Sequence, residues 1–267
     1  MDIHRLQNFE QLVAGRGRAR SVSPAPLGPR IDRVAALSLG LGALVAAVSL
    51  GCSGPPPKPD GRPEPPPFAE QVRAVRAGRV TRIEAAAPLG PDDWESLRGL
   101  AGLRVLVLDR GVAGDAEAEI LATLPDIERL VLRRSPVSDA GFSALAGCRS
   151  LEDLNVPQAA CTATGIDSLA ALPSLQNLRL GGPNLAGPDV ARAIAKLPGL
   201  RSLHLIDVAI GDEGLDALAT LATLGNLYLD GAGVSDAAWE RYFKARPAVH
   251  AHIDQAHHDR DPRRGHD

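Results

Sequence analysis

Residues 127–156 read IERLVLRRSPVSDAGFSALAGCRSLEDLNV, and the apolar spacing that opens this stretch returns at its end. Ile127, Leu130 and Leu132 follow L-x-x-L-x-L spacing, and Leu151, Leu154 and Val156 repeat it 24 residues later. Moving outward, the same spacing holds at Leu103, Leu106 and Leu108 on one side. On the other side it holds at Leu175, Leu178, Leu180, then Leu200, Leu203, Leu205, then Leu224, Leu227, Leu229. The period is 24 residues throughout, except for one step of 25 from Leu175 to Leu200. Val80, Ile83, Ala85 and Ala248, Ala251, Ile253 read as degenerate end units. A fixed period of this length marks a solenoid, in which each unit buries its apolar face only against its neighbours.

Register extends the reading to the rest of each unit. Ten residues past the first apolar position stand Ala113, Val137, Cys161, Leu185, Ile210 and Val234. Fifteen past stand Ala118, Phe142, Ile166, Val190, Leu215 and Trp239. One helical turn further come Leu121, Leu145, Leu169, Ile194, Leu218 and Tyr242, which puts the extra residue between Val190 and Ile194. Each unit therefore reads as a short strand, a turn and a helix, with Ser138-Asp139 and Ser235-Asp236 as helix-start signals. Cys148 and Cys161 fall in columns filled elsewhere by Leu, Val, Ile or, once, Ala113, so they are expected to be small buried core residues. Phe68, Val72 and Val75 have helical spacing just ahead of the first unit and predict a helix that covers the open end of the stack.

Units such as VSDAGFSALAGCRSLEDLNV (137–156) and IGDEGLDALATLATLGNLYL (210–229) resemble the helix-bearing subclass of bacterial leucine-rich repeat proteins. The resemblance implies an α/β solenoid bent into a horseshoe, with a parallel sheet on the concave face and helices on the convex face. It also implies a protein-binding role. In that family Asn, Cys or Thr often stands eight residues past the first Leu and ties down the turn. Here the column is Gly111, Ser135, Ala159, Pro183, Val208, Ala232, so looser and less regular turns are expected.

Ahead of the repeats, residues 1–51 read as a signal or anchor segment. An arginine-bearing start (Arg16, Arg18, Arg20, Arg30, Arg33) leads into the uncharged apolar run Val34–Leu50. The run closes on Ser49-Leu50-Gly51-Cys52, which resembles the lipobox of bacterial lipoproteins and implies a lipid-modified Cys52 at the start of the mature chain. The alternative is an uncleaved single-pass anchor, and 17 residues is at the short limit for that. Either reading predicts an extracytoplasmic location in the cell envelope. Residues 52–67 carry eight prolines and favour an extended tether, reaching about 40–50 Å at ~3.1 Å per residue. The repeat domain then spans residues 68–254, and the charged stretch 255–267 reads as a disordered tail.

Alternate strand positions project away from the core, so the concave face is readable column by column. Its centre runs Glu84, Val107, Val131, Asn155, Arg179, His204, Tyr228, His252. Arg129, Asp153, Asn177, Ser202 and His250 flank it on one side, with Asp109, Arg133 and Asp230 among those on the other. Arg129, Arg133, Asn155, Arg179, His204 and Tyr228 are the candidate partner-binding residues, because long polar and aromatic side chains anchor protein interfaces. His250-x-His252 has metal-chelating spacing with His257 and His258, but the latter two fall in the expected tail, so no metal site is assigned.

With a net charge of −3, no pull toward nucleic acid is indicated. Neither G-x-S-x-G, H-E-x-x-H nor a phosphate-binding loop occurs, so neither an enzyme nor a cofactor is expected, and the anticipated partner is a protein. A structural role in the envelope and a substrate-selecting adaptor are the alternative readings. Cells fed labelled palmitate are expected to label the wild-type chain and not Cys52→Ala. Label that survives the substitution contradicts lipid attachment at Cys52.

Overall fold

The computed structural model describes residues 64–110 and 112–257. The expected signal or anchor segment, Cys52, most of the proline-rich tether and the tail from His258 onward lie outside the described residues. Among the described residues no helix is long and apolar enough to cross a membrane.

Each apolar triplet forms a strand. β1 (Arg82–Ala85), β2 (Val105–Leu108), β3 (Arg129–Leu132), β4 (Asp153–Val156), β5 (Asn177–Gly181), β6 (Ser202–Ile206), β7 (Asn226–Leu229) and β8 (His250–Ile253) pair in chain order, all parallel. Between them lie α2 (Pro91–Leu97), α3 (Asp115–Leu121), α4 (Asp139–Leu145), α5 (Ala163–Ser168), α6 (Pro188–Ile194), α7 (Gly211–Leu218) and α8 (Asp236–Ala245), after an initial α1 (Phe68–Arg76). The register is strict: Leu106, Leu130, Leu154, Leu178, Leu203 and Leu227 stack as direct neighbours. All are essentially inaccessible, and so are Leu103, Ile127, Leu151, Leu175, Leu200 and Leu224. The strands present one face to this core and the helices cover it from the other side, as the repeat pattern requires. Cys148 and Cys161 are buried in it as anticipated, and burial pushes both thiols up to about 12.

The end units are less regular than the central ones, as their degenerate patterns imply, and two other expectations are corrected. Val80 is 41% exposed, because α1 rather than a full repeat covers that end, and in the last unit Val249 is buried while Ala248 is exposed. The extra residue of the 25-residue step lies before α6, not within it: α6 is as long as α4, but it starts 13 residues after Leu175 where α4 starts 12 after Ile127. The helix is unbroken because a loop accommodates an insertion at less cost than a hydrogen-bonded turn. And the chain does not leave the fold at residue 255, since Ala256–His257 form β9, antiparallel to β8.

The turns are tied down rather than loose, which also corrects the sequence reading. An aspartate at the start of one helix accepts hydrogen bonds from the start of the next. Asp115 takes the Ser138 amide (2.8 Å), the Ser138 hydroxyl (2.5 Å) and the Gly141 amide (3.1 Å). Asp139 takes the Thr162 amide (2.7 Å), the Thr162 hydroxyl (2.8 Å) and the Gly165 amide (3.0 Å). Asp212 holds the Ser235 amide (2.7 Å) and hydroxyl (2.6 Å) in the same way. Ser138, Thr162 and Ser235 in turn cap their own helices. Glycine is required three residues past Ser138 and Thr162, because a Cβ on Gly141 would lie 2.6 Å from Asp115 Oδ1 and one on Gly165 2.6 Å from Asp139 Oδ1. In the column where a turn ladder was missed, the buried Ser135 hydroxyl accepts the Ala113 amide at 3.1 Å.

Both ends of the stack are closed. Gln71 of α1 turns its carboxamide on the outer edge of β1, accepting the Glu84 amide (2.8 Å) and donating to the Glu84 carbonyl (2.9 Å). The side chain thus stands in for a missing strand. At the other end β9 pairs with β8, and the Arg246 guanidinium donates to the carbonyls of Leu221, Ala222 (2.9 Å) and Leu224 (2.8 Å).

The Ser138 bonds hold the Asp115 carboxyl below its ordinary range. At Asp139 burial pushes upward, but the Thr162 and Gly165 bonds together outweigh it and the shift is again downward. A depressed carboxyl contributes its full stabilisation above the unfolded value and loses it as pH falls through the folded one. Asp139→Ala is expected to cost about 1–2 kcal/mol in neutral urea titrations, the range of a lost helix cap. Its stability should also fall less than that of the wild type as the medium is acidified below pH ~4.

Candidate partner-binding face

Parallel pairing in register makes each strand's outward residue the direct neighbour of the next. Val131 stands beside Asn155, Asn155 beside Arg179, Arg179 beside His204, His204 beside Tyr228 and Tyr228 beside His252. At about 4.8 Å between strands, the side chains form one continuous strip. They line an open groove of about 430 Å³, walled by Arg129, Asn155, Arg179, His204 and Tyr228 together with Asp153, Asn177 and Ser202. Five of the six candidate residues are therefore brought together. Arg133 is the exception, since it lies at the far end of β3 outside the groove and pairs with Asp109.

The groove is uneven in how well its groups are satisfied. Arg129 pairs with Asp153 at 2.9 Å, and burial pushes the Asp153 carboxyl up against the downward pull of Arg129. His204 Nε2 meets Asp230 Oδ2 at 3.0 Å, which fixes the imidazole over the groove edge. Its ring lies 5.5 Å from that of Tyr228, and Tyr228 stacks on His252 at 4.8 Å. Between these two anchored regions, Arg179 is exposed and makes no ion pair among the described residues. Next to it Asn155 Oδ1 is buried without a hydrogen-bond partner. A buried acceptor left unmatched costs about 1–3 kcal/mol, and a ligand that donates to it recovers that cost.

Sequence reading found the columns but not the pairing. The Arg129–Asp153 and Arg133–Asp109 bonds were detectable only as opposite charges 24 residues apart, a signal that needs the strand register first. The chemistry of the face is recognition by hydrogen bonds, charge and stacking. Both described cysteines are buried and protonated at neutral pH, so neither presents a nucleophile here. Among the described residues no group of three His, Cys, Asp or Glu side chains is placed to hold a metal ion.

No family model matches the chain, and no curated protein matches it. Solved structures do. An internalin (InlF) from Listeria monocytogenes superimposes with a TM-score of 0.53 at 16% identity, covering 68% of this chain and 50% of the internalin. Two receptors overlap more loosely. One is a TDR receptor (TM-score 0.43, 12% identity, 68% of this chain, 31% of that one). The other is the plant peptide hormone receptor RGFR1 in complex with RGF2 (0.38, 14%, 60% and 34%). The chain spans half the length of the internalin, and the likeness bears on fold alone. Eight parallel strands alternating with helices in one open sheet, with this likeness, make the chain a leucine-rich repeat solenoid.

The difference in pairing has a chemical consequence. Phenylglyoxal is expected to modify Arg179 faster than Arg129 or Arg133, and Asp153→Ala to raise the rate at Arg129 several-fold while leaving Arg179 unchanged. Peptide mass mapping reads both rates.

Proposed function

We propose that the chain is a non-catalytic protein-binding module of the cell envelope that holds its partner in the concave groove. The observation that carries this reading is the pair of unsatisfied groups at the groove centre, Arg179 and Asn155 Oδ1, set between an ion pair and an aromatic stack. A surface kept only for solubility has no need of a buried acceptor without a donor. Arg, Tyr and Asn are also residue types that serve protein interfaces, and a rigid sheet holds them without the entropy cost of a loop. An open solenoid face excludes water poorly, which favours binding over catalysis. In the same proposal the module is tethered outside the cytoplasm by lipid on Cys52, or in second place by an anchor at Val34–Leu50, with residues 52–67 as spacer.

A scaffolding role draws on a different observation. The Arg129–Asp153 and Arg133–Asp109 pairs satisfy each other across strands, so the N-terminal half of the face is chemically quiet. Cross-linking pull-down from native membranes separates the two readings, with wild type run against an Arg179→Ala/His204→Ala/Tyr228→Ala variant of unchanged circular dichroism. Binding through the groove predicts a partner whose recovery falls at least about tenfold with the variant, since clustered interface anchors of this kind carry most of the affinity. Identical recovery from both contradicts it and favours the scaffold.

A further inference from the structure

The concave groove is uneven in charge as well as in hydrogen bonding. Of its two arginines, Arg129 is paired with Asp153 at 2.9 Å, whereas Arg179 has no ion pair among the described residues. Asp230 stands at the groove edge, bonded to His204 at 3.0 Å. The groove centre therefore offers one uncompensated positive charge on β5, with the Asp153 carboxylate on β4 to one side and Asp230, after β7, to the other. Directly beside Arg179 in register is Asn155, whose Oδ1 is buried with no donor on it. A guanidinium can only donate and a carboxamide oxygen can only accept. Whatever satisfies both must carry an anion and an N–H about one strand spacing apart, roughly 4.8 Å.

We propose that the partner enters this groove as an extended segment anchored by one internal aspartate. Its side-chain carboxylate sits on Arg179, and the backbone N–H of the same residue donates to Asn155 Oδ1. The inference rests on the protein-binding reading above and adds what the partner must present. A carboxylate takes two parallel N–H bonds from a guanidinium, and its single negative charge balances the single unpaired positive one. A phosphate dianion would also be drawn to Arg179, but its second charge would stand uncompensated between Asp153 and Asp230. Only Cα and Cβ separate the backbone nitrogen of aspartate from its carboxyl carbon, so one residue spans the neighbouring positions of Asn155 and Arg179. Glutamate is one methylene longer and fits the pair less closely. The segment is extended because the N–H groups inside a helix are already bonded to their own carbonyls and cannot reach Asn155. The donor also removes the cost that the buried acceptor carries while unmatched.

The test uses pools of short peptides, acetylated and amidated at their ends, with the central residue fixed as Asp, Glu, Asn or phosphoserine and the flanks randomised without acidic residues. Fluorescence anisotropy reads their binding to the full chain in detergent, for the wild type and for variants of unchanged circular dichroism. The wild type is expected to bind the Asp pool at least about tenfold more tightly than the Asn pool, the worth of a charge-assisted pair, with the Glu pool between them. Arg179→Gln should erase the preference for Asp over Asn, and Arg179→Lys should keep only part of it, since an ammonium lacks the two-pronged geometry. Asn155→Ala should weaken the Asp and Asn pools alike, because both supply the same backbone N–H. Two kinds of failure are distinguishable. If no pool binds, or if Tyr228→Ala leaves the binding of every pool unchanged, the groove itself is contradicted and this inference falls with it. If binding is lost in Tyr228→Ala but shows no preference for Asp over Asn, favours phosphoserine, or keeps its Asp preference in Arg179→Gln, the groove stands and the aspartate anchor is overturned.

Discussion

Everything in this structure depends on one constraint: no repeat can bury its own apolar face. A strand of four or five residues and a helix of two turns enclose nothing by themselves. The leucine columns become a core only when Leu106, Leu130, Leu154, Leu178, Leu203 and Leu227 lie side by side, which fixes the register of the sheet. Apolar stacking does not by itself set the angle or spacing of neighbouring helices. At three of the junctions, α3 to α4, α4 to α5 and α7 to α8, the aspartate clamps at Asp115, Asp139 and Asp212 join one helix start to the next through two or three hydrogen bonds. A stack also has two ends, and each is closed by a different device: the Gln71 carboxamide at β1, and β9 with Arg246 at the last repeat.

The fold was legible because its cause is periodic. Columns of apolar residues at fixed spacing leave few alternatives, and the buried positions match them almost one for one through the central repeats. Legibility failed where the cause is a partner in space rather than a pattern in sequence. Ser138 reads as a local helix cap, and nothing nearby reveals that Asp115 holds it from the preceding unit. Val80 and Ala248 were placed by extrapolating a period into end units that lack a neighbour on one side. The short β9 was missed because two residues among charges carry no apolar signal, and its pairing comes from the exposed edge of β8.

The candidate site follows the same division. Strand alternation placed Asn155, Arg179, His204 and Tyr228 on one strip, and the register confirms that neighbourhood. Which groups are already spent was invisible, because Arg129 and Arg133 look as available as Arg179 until Asp153 and Asp109 are found one strand away. The face is thus polarised: satisfied ion pairs toward the N-terminal repeats, unmatched groups at the centre, and stacked aromatic rings toward the C-terminal hairpin. Rigidity of the closed ends is what holds that gradient in place, since a frayed last repeat would free His252 and with it one side of Tyr228.

The most direct measurement of this account is native-state hydrogen exchange on the full chain, resolved by strand. If clamps and end caps bind the repeats into one unit, the amides of β1 and β8 exchange through the same opening as those of β4, with similar protection factors. Exchange that begins at either end and steps inward repeat by repeat would contradict it. The solenoid would then be a row of weakly coupled units with open edges, and the groove would lack the fixed geometry ascribed to it.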